Sequence, residues 1–216
     1  MRPKIIIHSE MSVDGRVEWI EKQNFLYYRI LTGWDIDAMI TDADTLLCSE
    51  LRDLNKEVDN YNDQTIIVLD KSGVLTKHNW KLICEQRWWN DKPLAVVTER
   101  TAKKYLKLLD DLKINYICMG KKNYDFSSLF KILRGKYNFH KIRIDSDGRV
   151  NGTLLREGMV DMLSIVFSPR LTGNKSLNKM LIADGILDLQ DKIELKLYDL
   201  RKLEGDFIWL LYEIIK

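Results

Sequence analysis

Four short polar segments carry residue types that could contact a nucleotide. Each combines carboxylates with hydroxyls, lysine or glycine, and each follows a short apolar run; they are residues 8–16, 41–45, 70–73 and 145–152. Open α/β sheets bind ligands outside the carboxyl ends of their strands. Small and hydroxyl side chains there would let the backbone approach a phosphate closely. The sequence therefore indicates a nucleotide-binding edge, although neither a G-x-G-x-x-G fingerprint nor a P-loop is present.

The same segments also have an ordinary structural interpretation. The Asp-Gly pairs at 14–15 and 147–148 can form tight turns. Asp42 and Thr45 can cap a helix. Taken singly, the residues leave the structural and the functional interpretation open.

Short apolar runs predict the strands that would position these segments. Four runs are nearly continuous in apolar and β-branched residues, as in a sheet covered on both faces: 4–9, 38–41, 65–69 and 94–98. Three weaker runs continue the series at 116–119, 141–144 and 163–167. Helical spacing occurs between the runs at 24–31, 101–112 and 126–133. This alternation predicts a largely parallel sheet.

The last part of the chain follows a different pattern. Residues 193–200 alternate apolar and charged side chains with period two, and residues 207–215 are again apolar. The segment Glu-Gly-Asp at 204–206 separates them, which predicts a hairpin. We therefore expect one α/β domain over residues 1–216, a three-layer αβα sandwich whose mixed, mostly parallel sheet ends antiparallel.

Composition narrows the classes of function. The 216 residues are 45% hydrophobic and 31% charged, and the formal net charge is +2. This balance is typical of a globular protein and gives no global field that would hold the chain on nucleic acid or a membrane. No run approaches the roughly 20 apolar residues of a spanning helix, and the first residues are not apolar enough for a signal peptide. We expect a cytoplasmic protein whose partners include neither nucleic acid nor a membrane.

The cysteines and histidines lack the spacing of a metal site. They are scattered along the chain without a C-x-x-C pair: Cys48, Cys84, Cys118, His8, His78 and His140. We expect three reduced thiols and no metal.

The polar segments resemble the motifs of one known family. Residues 11–16, M-S-V-D-G-R, resemble the A-M-S-L-D-G-K signature of the RibD C-terminal family, the reductases of riboflavin biosynthesis. Residues 42–45 are similar to its G-A-N-T loop, and residues 68–73 to its strand and turn near the cofactor's adenosine. Residues 144–173 resemble its glycine loop, its L-L-x-x-G-L-V-D-E helix and the following strand ending in P-x-x-x-G. The order and spacing of these motifs hold across nearly the whole chain.

The resemblance implies a fold, a cofactor and a reaction. The fold would be dihydrofolate-reductase-like, NADPH would be the hydride donor, and the protein would commonly form a homodimer. The family's best-known reaction reduces a ribosylamino-pyrimidine phosphate to its ribitylamino form by hydride transfer to the sugar C1. The cofactor would carry the chemistry while the protein positions the two carbons and excludes water.

The resemblance also implies two sets of cofactor-binding residues. The first set would line the nicotinamide and the cofactor cleft: Met11, Ser12, Ala43 and Thr45. The second set would meet phosphates, with Lys71 and Ser72 at the extra phosphate of NADPH, and the turn of Ser146, Asp147, Gly148, Arg149 and Val150 at the pyrophosphate.

Four further residues are candidates at the substrate. Asp14 would contact the substrate, and Asp145 would contact it or assist proton transfer, so both are catalytic candidates. His8 would either bind the substrate phosphate or merely end a strand. Trp19 would either contact the substrate or cover the core.

Several positions depart from the family's motifs. Asp42, Ser146 and Asp147 stand where the family has glycine, which restricts the backbone and adds carboxylates near a pyrophosphate. Arg149 could offset that charge. Residues 17–25 are aromatic and acidic where relatives are polar. Two alternatives therefore stay open: a family reductase acting on another substrate, such as a pterin or a different imine or carbonyl, and a non-catalytic relative that binds a nucleotide or a partner.

Overall fold

The chain folds into alternating strands and helices, seen here in a computed structural model that describes residues 1–17, 30, 33–48, 64–86, 89–90, 92–173, 179–180 and 192–215. The strands in these ranges are β1 (Lys4–Ser12), β2 (Ala38–Asp42), β3 (Thr65–Leu69), β4 (Leu94–Val97), β5 (Asn115–Cys118), β6 (Lys141–Ile144), β7 (Met162–Ser168), β8 (Leu195–Lys202) and β9 (Ile208–Ile214). The helices are α1 (Ala43–Cys48), α2 (Lys77–Glu85), α3 (Lys103–Asp111), α4 (Phe126–Lys136) and α5 (Gly148–Arg156). The strands form a sheet in the order β5-β4-β3-β2-β6-β1-β7-β9-β8. This confirms the prediction of an α/β fold whose mostly parallel sheet ends antiparallel.

The chain divides into two compact units. The first comprises Met1–Pro3 and Ile36–Ile142, and the second comprises Lys4–Asp35 and Arg143–Lys216. The expectation of a single domain over residues 1–216 stays a prediction. The helix predicted at 24–31 lies almost wholly outside the described residues.

Continuous apolar runs make the parallel strands of the first unit. Every residue of β2 and of β4 is buried, as expected for strands covered on both faces. Ile67 of β3 lies between Ile40 of β2 and Leu94 of β4. Helices α2 and α3 each bury one face in the core of this unit, through Trp80, Ile83, Tyr105 and Leu109.

Hydrogen bonds in its first turn stabilise helix α2. The apolar residues of this helix are too sparse to predict it from the sequence. The Asn79 N–H donates to Thr76 Oγ1 at 3.3 Å, and the Thr76 N–H donates to Asn79 Oδ1 at 2.8 Å. This reciprocal capping box satisfies two amides that a helix start would otherwise leave unpaired.

The second unit combines parallel and antiparallel pairing. β1 pairs with β7 in parallel, in a register that brings Ser12 beside Ser168. β9 pairs antiparallel with both β7 and β8. The β8–β9 hairpin turns through Glu204–Asp206, where Gly205 has a φ of 70°, a conformation that glycine adopts without strain. The predicted hairpin is confirmed.

The two sides of the hairpin differ in burial. On β9, Trp209 and Leu211 are buried in the core of the unit. Because side chains alternate along a strand, the opposite side carries a second row. This row is apolar and exposed, and we call it the β8–β9 face: Leu195, Leu197, Leu200 and Ile208, between 40% and 58% exposed. A bulge between Leu197 and Asp199 interrupts the pairing of β8 with β9.

Candidate functional site

A buried carboxylate shapes the turn after β3 in the first unit. Asp70 is 2% exposed, and its Oδ1 accepts the Val74 N–H at 3.0 Å. Its Oδ2 accepts the Leu75 N–H at 3.0 Å and the hydroxyl of Tyr105 at 2.6 Å. Gly73 has a φ of 64°, and a Cβ there would lie 2.7 Å from Tyr105 Cγ. The turn is therefore fixed by hydrogen bonds and has no room for a side chain at Gly73.

Tyr105 links this turn to the core. Its hydroxyl accepts the indole N–H of Trp80 at 3.0 Å while donating to Asp70. Burial, and then the neighbouring Asp70 carboxylate, raise the pKa of Tyr105 far above its usual value. The phenol therefore stays protonated and remains the donor to Asp70.

Lys71 and Ser72, both predicted to meet a phosphate, are exposed on this turn. The Lys71 N–H donates to the hydroxyl of Tyr124 at 2.7 Å, and Thr101 donates to the Lys71 carbonyl at 2.8 Å. The Lys71 ammonium lies 5.7 Å from the centre of the Tyr124 ring, within the range of a cation–π contact. Lys71 makes no ion pair within the described ranges. The turn therefore presents a cation to solvent from a rigid base, where it could meet an anionic ligand.

Asp42 and Thr45 form the start of α1. The sequence left open whether these two residues cap a helix or contact a ligand. Asp42 Oδ1 accepts the Thr45 N–H at 2.8 Å, and its Oδ2 accepts the Thr45 hydroxyl at 2.6 Å. This is the geometry of a helix cap. Ala43 beside them is 4% exposed. Any contact of Thr45 with a ligand phosphate would have to compete with Asp42 for the hydroxyl proton.

In the second unit, Asp14 ties the loop after β1 to the loop after β7. Its Oδ1 accepts the Ser12 hydroxyl at 2.7 Å and the Thr172 N–H at 3.1 Å, and its Oδ2 accepts the Gly173 N–H at 2.8 Å. Ser12 Oγ in turn accepts the Arg16 N–H at 3.1 Å. Ser12 itself is fully buried, whereas Met11 before it is half-buried.

These hydrogen bonds change the acidity of Asp14. The Ser12 hydroxyl, followed by the Thr172 amide, lowers the pKa of the Asp14 carboxyl to about 2. A group with this pKa is ionised at neutral pH and holds its negative charge against protonation. The geometry therefore suits Asp14 to fixing the two loops and accepting hydrogen bonds, and makes it a poor proton donor.

His8 lies in the core of the second unit. The ring is fully buried and its Nδ1 lies 2.8 Å from Ser164 Oγ, which also accepts the Trp209 indole N–H at 2.8 Å. Trp34 packs on both rings, with centroid distances of 6.4 Å to His8 and 5.9 Å to Trp209. Of the two roles open from the sequence, this placement is that of a strand residue packed in the core, because the ring presents no surface to a substrate.

The turn before α5 contains the other predicted phosphate contacts. Asp147 Oδ1 accepts the Arg149 N–H at 3.0 Å and the Val150 N–H at 2.9 Å, so its side chain caps the helix. Asp145 and Ser146 before it are half-buried, and Gly148 is buried. Two of the backbone amides expected to meet a pyrophosphate, those of Arg149 and Val150, are therefore already bound to a carboxylate of the chain itself.

Trp19, a candidate at the substrate, lies outside the described residues. Within the described ranges, no helix has the length and apolar composition needed to span a membrane. In the same part of the chain, histidine, cysteine and acidic side chains do not gather into a group of three that could hold a metal ion.

Comparison with known proteins identifies the family. The sequence profile of the RibD C-terminal domain matches residues 3–208. The chain belongs to the RibD C-terminal domain family. The glycine-poor turn before α5 and the capped turn after β2 are therefore features of a RibD C-terminal domain in which aspartates replace expected glycines.

Solved structures share the fold of this RibD C-terminal domain. RibD of Acinetobacter baumannii matches with a TM-score of 0.74 at 20% identity, over 99% of this chain and 58% of that one. A pyrimidine reductase-like protein of Corynebacterium diphtheriae matches with a TM-score of 0.74 at 17% identity, over 99% and 92%. A riboflavin biosynthesis reductase of Saccharomyces cerevisiae matches with a TM-score of 0.67 at 18% identity, over 99% and 90%. The likeness confirms the predicted fold, and the chain spans about three fifths of the Acinetobacter protein.

Sequence reasoning missed three residues that build the turn after β3: Thr101, Tyr105 and Tyr124. They contact the turn from 30, 35 and 53 positions along the chain. A local pattern cannot pair such residues. Tyr105 stands in the predicted apolar stripe of α3, where nothing distinguishes its hydroxyl function from ordinary packing.

Tyr105→Phe is expected to destabilise this RibD C-terminal domain by about 1–3 kcal/mol, because it leaves the buried Trp80 N–H without an acceptor and removes a donor to Asp70. Urea unfolding followed by circular dichroism measures the change. Tyr198→Phe, at a position 70% exposed, is the matched control and should stay within about 0.5 kcal/mol of the unmodified protein. Identical unfolding midpoints for both variants would contradict the network.

The Asp14 carboxyl is expected to stay ionised well into acid. With a pKa of about 2, its contribution to stability is present in full well above the usual value of 3.8 and is lost progressively as the pH falls from there through 2. At pH 3 only about a tenth of the carboxyl would be protonated, against more than about four fifths for an unperturbed group. The amide NMR shifts of Thr172 and Gly173 should therefore stay flat from pH 6 to pH 3. A titration centred near 3.8 that disappears in Asp14→Asn would contradict the assignment.

Proposed function

We propose that the protein is an NADPH-dependent reductase of riboflavin biosynthesis. Its substrate would be 5-amino-6-(5-phosphoribosylamino)uracil or the related 2,5-diamino-6-ribosylamino-pyrimidinone 5'-phosphate. The observation that carries the proposal is the match of the RibD C-terminal profile to residues 3–208. Two proteins of similar fold, from Saccharomyces cerevisiae and Thermotoga maritima, are named as reductases of this kind.

The turn after β3 fits the phosphate that distinguishes NADPH from NADH. Lys71 supplies a cation and Ser72 a hydroxyl, both exposed on a base fixed by Asp70, Thr101 and Tyr124. A rigid base lowers the entropy lost when the ammonium engages an anion. We assign Lys71 and Ser72 to the adenosine phosphate.

The remaining cofactor contacts are proposed from the family's motifs. Met11 and Ser12 would lie against the nicotinamide, Ala43 and Thr45 would line the cleft, and the segment 146–150 would meet the pyrophosphate. When bound, NADPH would supply the hydride that reduces the sugar C1 of the opened imine. The chain's own part is to hold the cofactor and the substrate in register and to exclude water.

The substrate end is assigned to two carboxylates with different roles. Asp14, ionised and fixed by Thr172 and Gly173, would accept hydrogen bonds from the substrate and hold its orientation. Reduction of a carbon–nitrogen double bond also requires a proton at the nitrogen. Asp145, half-buried at the end of β6, is the residue we assign to deliver or relay that proton. Trp19 is proposed at the substrate from the sequence alone.

A second candidate function is favoured by one observation. The Arg149 and Val150 amides, two of those expected to bind the pyrophosphate, donate to Asp147, which would suit a non-catalytic relative that binds a partner or a different nucleotide. A family reductase with another substrate, such as a pterin, is favoured by the acidic and aromatic residues 17–25. Cofactor binding separates the non-catalytic relative from both reductases.

We further propose that the protein forms a homodimer through the β8–β9 face. This face is apolar and exposed, and it lies at the edge of the sheet. Contiguous exposed apolar surface of this kind marks interaction sites, and a two-fold contact would bury the same face on both copies.

Lys71→Ala is expected to weaken NADPH binding by roughly ten- to a hundredfold while leaving NADH binding unchanged, because it removes a charged contact to the extra phosphate. Quenching of the emission of the six tryptophans measures both cofactors. Lys107→Ala, on an exposed position of α3, removes the same charge elsewhere and should change neither affinity. Equal losses for both cofactors in Lys71→Ala would contradict the assigned role, and no binding of either cofactor by folded protein would contradict the reductase.

Leu200→Glu is expected to convert the dimer to a single chain of 25.5 kDa, because it buries an unpaired carboxylate in the contact. Sedimentation equilibrium at micromolar concentration measures the mass. Lys196→Ala, on the other side of the same strand, is the control and should remain dimeric. An unmodified protein of single-chain mass would contradict the proposal.

A further inference from the structure

The first turn of α5 is occupied by an anion that belongs to the chain. Helix N-termini bind phosphates because their first amides are unpaired and the helix dipole favours negative charge. Here the Arg149 and Val150 N–H groups both donate to Asp147 Oδ1, at 3.0 and 2.9 Å. The carboxylate therefore takes the hydrogen bonds and the field that a ligand phosphate would use.

Asn151 adds a second acceptor to the same turn. It is 1% exposed, and its Nδ2 donates to the carbonyls of Ser146 and Met180 at 3.3 and 3.1 Å. Both partners can only accept, which fixes the orientation of the amide. The Oδ1 atom is then buried and has no hydrogen-bond partner among the described residues. Beside the Asp147 carboxylate, the first turn of α5 therefore contains a buried acceptor oxygen and no donor from Asn151 that is left for a phosphate.

We propose that the negative charge of Asp147, held on the Arg149 and Val150 amides, lowers the affinity of the protein for its dinucleotide by opposing the pyrophosphate at those amides. The inference rests on the proposed function, in which the segment 146–150 meets the pyrophosphate. Binding then requires the Asp147 side chain to leave its capping position. The Asp147 carboxylate and a diphosphate carry charges of the same sign, so they repel each other at close range, and more strongly near a protein surface than in bulk water. Asp147 is therefore a specificity-determining residue that lowers the affinity for any ligand carrying a diphosphate.

The chain contains a matched control for this role. Asp125 caps α4 in the same way, with its carboxylate accepting the Ser128 N–H at 2.9 Å and the Ser128 hydroxyl at 2.7 Å. Serine caps a helix about as well as aspartate does. Asp147→Ser and Asp125→Ser therefore remove one charge each from a helix start while keeping a capping side chain.

The experiment titrates the unmodified protein and both variants with NADPH and, separately, with inorganic pyrophosphate, using calorimetry. Asp147→Ser is expected to bind both ligands about tenfold more tightly or better, and Asp125→Ser should equal the unmodified protein. The gain should shrink at high ionic strength, since the Debye length falls from about 10 Å at 0.1 M salt to about 3 Å at 1 M. A purely structural effect of the substitution would not depend on salt in this way.

The outcomes separate this inference from the proposed function. Equal affinities of Asp147→Ser and the unmodified protein for NADPH overturn the inference and leave the reductase standing. Failure of every protein to bind NADPH overturns the proposed function, and the pyrophosphate titration then decides the inference by itself. If Asp147→Ser does not fold, Asp147→Asn keeps the cap without the charge and takes its place.

Discussion

Hydrogen bonds from backbone amides to carboxylates determine the conformation of the chain where its strands end. Asp42, Asp70 and Asp147 each stand at or just after a strand and accept two backbone or hydroxyl hydrogen bonds from the residues that follow. Asp14 does the same across two loops. A charged acceptor binds amides about twice as strongly as a neutral one, so each of these turns has one favoured shape. These hydrogen bonds fix the conformation of the loops that follow the strands.

The same hydrogen bonds give the ends of different strands different charges. A carboxylate held in this way accepts hydrogen bonds from amides that would otherwise be unpaired. Where it replaces one of the family's glycines, it also adds a negative charge. In the first unit the Asp70 carboxylate is buried beneath the turn after β3, and Lys71 on that turn is exposed to solvent. At the start of α5 the carboxylate itself lies on the amides.

Much of the fold could be predicted because its strands are simple patterns. β2, β3 and β4 are nearly continuous apolar runs, and the hairpin alternates with period two, so both follow from the sequence. Helix α2 could not be predicted from its apolar spacing, since only Trp80 and Ile83 of its nine residues are buried and its start depends on a capping box. β1 extends to Ser12, beyond the predicted end at residue 9, because parallel pairing with β7 carries the polar residues after the apolar run into the sheet.

Individual residues of the candidate site could be predicted from the sequence, but the contacts between them could not. Lys71, Asp14 and Asp147 could be chosen from local motifs, because each stands in a short segment of distinctive composition. What each one does depends on residues far away in sequence. Tyr124 and Thr101 reach Lys71, and Thr172 and Gly173 reach Asp14 across about 160 positions, an interval that no spacing rule covers. His8 shows the converse, since its chemistry suggested a ligand contact and its burial gives it a packing role.

The bulge in β8 limits how another strand can pair with this edge of the sheet. An edge strand with a regular row of unpaired amides and carbonyls is a template on which another strand can add, and sheets extended in this way grow without limit. An extra residue between Leu197 and Asp199 breaks that row and increases the local twist. The strand also carries the charged side chains of Lys196, Arg201 and Lys202, the last two in ion pairs with Asp199 and Asp206. Strand-by-strand growth into fibres is thereby discouraged, although the leucines of the β8–β9 face are exposed.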